Sequence, residues 1–107
     1  MTQMSVYRLV PNARDDDPSW RRGLNHGEVV VRAMSTGDAR ALAAHAEIEA
    51  ISLKVSKATT QVIASAFRDP KLYTVLDDTS GEFSKDGPRA VLRGVFEVPD
   101  NYTFTDD

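Results

Sequence analysis

Three consecutive valines, Val29-Val30-Val31, constrain this chain more than any other feature. Branching at Cβ restricts χ1 and favours extended backbone, so residues 28–34 (EVVVRAM) predict a strand. An uninterrupted apolar run, in place of strict alternation, predicts burial on both faces and a central position in a sheet. Such a sheet needs two covers. A helix can supply one, and a second helix, a long loop or a second subunit the other.

The helix is announced directly after the valines. Ser35-Thr36-Gly37-Asp38 has the spacing of a capping box, in which the Ser35 hydroxyl accepts from the Asp38 amide and the carboxylate reaches back. The carboxylate also suits the positive end of the helix dipole. Ala39, Leu42, Ala43, Ala46 and Ala50 then recur at helical spacing, predicting a helix over 36–50. Its small side chains allow close approach to a sheet. Arg40, His45, Glu47 and Glu49 are assigned to its polar face.

Further strands are expected on both sides. Residues 5–10 (SVYRLV) predict a first strand closed by Pro11, which lacks a ladder donor. Residues 51–57 (ISLKVSK) alternate strictly and predict another, and ATTQVIASAF fits a short helix or a second extended piece, with the helix favoured by the spacing of Val62, Ile63, Ala66 and Phe67. Arg68-Asp69-Pro70 ends that helix, because a residue before proline disfavours helical backbone. Residues 71–76 predict a strand, 77–88 a turn-rich connection, and 89–98 a strand with Gly94 as a bulge. The expected fold is α+β: a mainly antiparallel sheet of about four strands, one main helix on one face and a second short helix. The 107 residues suit a single domain, 1–107, with 99–107 as a frayed or strand-adding tail.

Charge and composition narrow the function classes. Residues 1–53 carry six basic and seven acidic groups, and residues 54–107 seven and nine. Neither half is basic, so no nucleic-acid partner is expected. Cysteine is absent, which removes disulfides, thiolate ligands and a Cys nucleophile. MTQMSVYRLV lacks the basic stretch and apolar core of a signal peptide, and no apolar run is long enough for a membrane span. Cytoplasmic residence and no membrane partner are expected.

Several stretches resemble a family of small alphaproteobacterial proteins with no assigned function. They are Val6-Tyr7-Arg8-Leu9, Asp17-Pro18-Ser19-Trp20, Gly27-Glu28-Val29-Val30-Val31-Arg32-Ala33, Ser35-Thr36-Gly37-Asp38-Ala39-Arg40 and Phe67-Arg68-Asp69-Pro70. Together they span roughly the first three-quarters of the chain, with 51–66 outside the pattern. The resemblance implies a compact single-domain bacterial protein and no particular activity.

Candidate binding residues concentrate in the long polar connection 12–27: Trp20, Arg21, Arg22 and His26. Trp and Arg are favoured at binding hot spots, although for a lone tryptophan the favoured reading is Trp20 folded back as a lid on the core. His26 has no nucleophile motif beside it, so no catalytic residue is assigned. His45 and Glu49 share a helix face, but two histidines and no cysteine make a solvated pair the expectation, with no metal and no cofactor. Asp77-Asp78-Thr79-Ser80-Gly81-Glu82 lacks the ligand spacing of a calcium loop. The function expected is a non-enzymatic protein-interaction module that self-associates as a homodimer and has room for a further protein partner. The alternative is a small-molecule-binding protein or enzyme with its pocket under the 12–27 loop.

Overall fold

A computed structural model describes residues 3–14, 16–18, 20, 25–54 and 65–96, with the side chains of 52–54 excepted. Strands β1 (Ser5–Pro11), β2 (Val29–Ala33), β3 (Tyr73–Asp77) and β4 (Ala90–Arg93) form one antiparallel sheet in the order β3-β1-β2-β4. Helix α1 (Thr36–Lys54) covers one face, and a 3-10 turn (Ala66–Arg68) precedes β3. The fold is α+β. No helix among the described residues is long and apolar enough to cross a membrane.

The valine run lies inside the sheet, between β1 and β4, with Val29, Val30 and Val31 all buried. Alternation along the pleat divides the faces. Tyr7, Leu9, Val29, Val31, Ala33 and Tyr73 join Ala39, Leu42, Ala43 and Ala44 of α1 in one core. Val6, Val30 and Arg32 point the other way.

Among the described residues, the connection between β3 and β4 reaches that second face. β3 ends and β4 begins at the same end of the sheet, so the connection 78–89 passes β1 and β2 on its way. Arg32, on the face away from α1, donates from Nε to Ser84 O (2.9 Å) and from Nη1 to Pro88 O (3.1 Å). The connection is therefore a strap tied to the face that also carries Val6 and Val30, both buried. Gly87 lets it approach: its φ is +136°, and a Cβ there would stand 2.5 Å from Arg32 Nη1. Arg93 adds a clasp, with its guanidinium 5.0 Å above the Phe83 ring and 2.7 Å from Glu82.

The helix start matches its sequence signature in part. Asp38 N–H donates to Ser35 Oγ at 3.0 Å. The Asp38 carboxylate accepts from Met34 N–H (3.0 Å), one residue earlier than a capping box requires, and from Arg89 (2.8 Å). The helix does not stop at residue 50. Residues 51–54 continue it, which overturns the strand expected from ISLKVSK over those positions; 55–57 lie outside the described residues. Ile51 completes the spacing Ala43, Glu47, Ile51, so helical period wins over local alternation where the core offers a site.

The short helix expected over 58–67 is present among the described residues only as the 3-10 turn, with 58–64 outside them. Ser65 Oγ caps it by accepting from Phe67 N–H, and Asp69 leaves it in extended backbone before Pro70. In β4 the irregularity is not at Gly94. Val31 pairs with Val91 and Val30 with Arg93, leaving Leu92 as the extra residue. Residues 97–107, including the expected tail, lie outside the described residues.

Candidate functional site

The 12–27 connection ends in a histidine that turns inward. His26 Nε2 donates to Glu47 Oε2 at 2.5 Å, and the two side chains are 1% and 2% exposed. Glu47 comes from α1, two helical turns before its end, and had been assigned to the polar face; burial corrects that assignment. Its position follows from the stripe Ala43, Glu47, Ile51, where the second place holds an acid among apolar neighbours. A buried carboxylate requires a partner, and His26 supplies it.

Aromatic rings enclose the pair. His26 stacks on Phe67 with centroids 5.7 Å apart and planes 13° apart, and meets Phe96 at 5.2 Å. Tyr73 lies 4.5 Å from Phe67. Its hydroxyl donates to Gly27 O (2.8 Å) and accepts from His26 N–H (3.0 Å), fastening the backbone of the loop as well as its side chain. Burial pushes the Tyr73 phenol up to about 12; the His26 N–H opposes the shift and the Glu47 charge adds to it.

Trp20 is the lid. It stands edge-on to Tyr73, 5.9 Å between centroids, and its Nε1 donates to Arg14 O at 2.8 Å. Two of the four expected binding residues, Trp20 and His26, thus converge on one aromatic cluster, while Arg21 and Arg22 lie outside the described residues. The sequence marked His26 but missed Glu47, Phe67 and Tyr73. The signal for Glu47 was its four-residue spacing from Ala43 and Ile51. Nothing local marked the pairing with residue 26.

Chemically, a carboxylate bound to one imidazole nitrogen is how a histidine base is oriented. Here the imidazole is buried, and a substrate would reach it only after its surroundings moved. In this state the pair is a buried fastening. His45 and Glu49 face each other at 3.1 Å but are both 68% exposed. Among the described residues no group of three or more His, Asp or Glu side chains is placed to hold a metal. In the 77–82 segment, Asp78 accepts from the Ser80 hydroxyl at 2.9 Å, which closes a turn.

No family model, curated protein or solved structure matches the chain.

Proposed function

We propose that the chain is a non-enzymatic protein-interaction module that acts as a homodimer. The observation carrying this reading is the layout of the sheet. One face is covered by α1 and the 78–89 strap is tied to the other, while β3 and β4 each pair on one side only among the described residues. Open strand edges are templates for pairing with another chain. The enclosure of His26 and Glu47 supports the non-enzymatic part, because the one buried acid–histidine pair is already engaged. Cytoplasmic residence belongs to the same proposal and is supported by the absence of cysteine, which suits a reducing compartment. Sedimentation velocity from micromolar to millimolar concentration tests it: twice the monomer mass is expected, and a strict monomer throughout would sink it.

The His26–Glu47 pair favours a second reading, a small-molecule site beneath the 12–27 loop. It predicts a saturable ligand whose affinity collapses in Trp20→Ala with the fold intact. A ligand screen in which no compound shifts the melting temperature of the wild type counts against it.

A further inference from the structure

We propose that Asp86–Gly87 is a site of spontaneous covalent modification, at which isoaspartate forms through a cyclic imide and frees the 78–89 strap from the sheet. The site is independent of the homodimer reading.

Imide closure needs a free backbone N–H on the residue after an aspartate, and room for it to reach the side-chain carboxyl. Asp17 and Asp69 precede proline, which has no N–H. The amides after Asp16, Asp38 and Asp77 are taken by Arg14 O, Ser35 O and Val6 O. The Asp78 carboxylate is held by the Ser80 hydroxyl at 2.9 Å. Asp86 differs on each count. It is the one aspartate in the chain that precedes glycine, and no asparagine does so. Lys85, Asp86, Gly87 and Pro88 are all exposed. Asp86 N–H donates to Ser84 Oγ at 3.0 Å. Among the described residues the Asp86 carboxylate has no hydrogen bond or ion pair, and the Gly87 N–H has no acceptor. Gly87 also has no Cβ to obstruct its nitrogen.

The chemistry needs only water. Gly87 N bonds to Asp86 Cγ and a Cγ–O bond breaks. That oxygen leaves as water, carrying the amide proton and the carboxyl proton. Water then adds to one of the two ring carbonyls. Opening at Cγ restores aspartate. Opening at the Asp86 main-chain carbonyl breaks its bond to Gly87 N and frees that carbon as a carboxylate. The main chain then runs through Cβ and Cγ, with the composition unchanged.

The altered bond lies between the two anchors of the strap. Arg32 holds Ser84 O on one side of it and Pro88 O on the other, at 2.9 and 3.1 Å. One rigid, planar guanidinium sets the spacing of those carbonyls. Isoaspartate inserts a further C–C bond, about 1.5 Å long, between them. The added length cannot fold inward, because even a Cβ on Gly87 would stand 2.5 Å from Arg32 Nη1. The grip of Arg32 is lost. In the unmodified chain the same two anchors restrict the backbone rotation that ring closure requires, so an intact grip slows the reaction.

Ageing of the full chain at neutral pH and physiological temperature tests the site. Isoaspartate is read by methyl transfer from S-adenosylmethionine with an isoaspartyl methyltransferase. Its position is read by resistance of the Lys85–Asp86 bond to a protease that cuts before aspartate. Isoaspartate is expected at Asp86 ahead of every other aspartate, to be lost in Asp86→Glu, and to accumulate faster in Arg32→Ala. In the aged wild type, hydrogen exchange should quicken at 78–89 and Val30 in the isomerised fraction alone. Isoaspartate arising at Asp77 or Asp78 as fast as at Asp86, or at no position, overturns the site. An isomerised fraction with unchanged exchange, or no acceleration in Arg32→Ala, overturns its coupling to the strap.

Discussion

Two long connections hold this molecule closed, and they do so in opposite ways. The 12–27 loop sends side chains inward: His26 to Glu47, and Trp20 onto Tyr73. The 78–89 strap instead offers backbone carbonyls, and the sheet reaches out to hold them through Arg32. The first fastening buries ionisable groups, so losing one partner strands the other in a dry environment. The second keeps its groups near water, which replaces a lost bond. The same number of hydrogen bonds should therefore be worth several times more under the loop than under the strap.

The largest effect should come from breaking the buried pair. His26→Ala leaves the Glu47 carboxylate without its partner and should destabilise by about 3–5 kcal/mol, read as a lower urea midpoint. Next, Tyr73→Phe removes the hydroxyl that serves both Gly27 O and His26 N–H and should cost about 1–3 kcal/mol. That residue also sets an alkaline limit. Its folded-state value of about 12 lies above the ordinary 10.0, so the neutral phenol favours folding. This contribution is fully present below pH 10.0 and is lost as pH rises through about 12. Phenolate absorbance during alkaline unfolding should report one late-titrating tyrosine, absent in Tyr73→Phe.

Arg32→Ala should cost less, about 1 kcal/mol, and act locally. Hydrogen exchange should quicken in 78–89 and at Val30 while the amide of His26 keeps its protection. An Arg32→Ala loss equal to that of His26→Ala would break the distinction between the two connections.

Asp38→Ala tests the junction between strap and helix. It removes the acceptor of Met34 N–H and the Arg89 contact together and should cost about 1 kcal/mol. The hydrogen bond from Arg89, then that from Met34 N–H, holds the Asp38 carboxyl below its ordinary 3.8. Its contribution is present above that value and fades as pH falls through the depressed one. Acid titration of Asp38→Asn should lack this component. The smallest effect, within about 0.5 kcal/mol, is expected for Glu82→Ala at the exposed pair with Arg93.

Local chemistry carried much of the fold into plain view. The valine run, the Ser35 cap and the Asp69-Pro70 stop each act over a few residues, and each lies where its chemistry put it. Residues 51–54 mislead for a physical reason. ISLK alternates as a strand does, but it follows a helix already nucleated, and extending a helix is easier than starting a new element. Glu47 was misplaced because an acid on a helix is ordinarily solvated, and only its distant partner makes its burial tolerable.

The sequence by itself determined what neighbouring residues can settle: where β1 and β2 form, where the main helix starts, and that thiol chemistry is excluded. The tertiary structure decided everything that joins distant positions. His26 meets Glu47 across 21 residues, Tyr73 meets Gly27 across 46, and Arg32 meets Pro88 across 56. Such pairings depend on strand order and on which face a connection crosses. Those are set by the free energy of the whole packed chain, which no short stretch of residues contains.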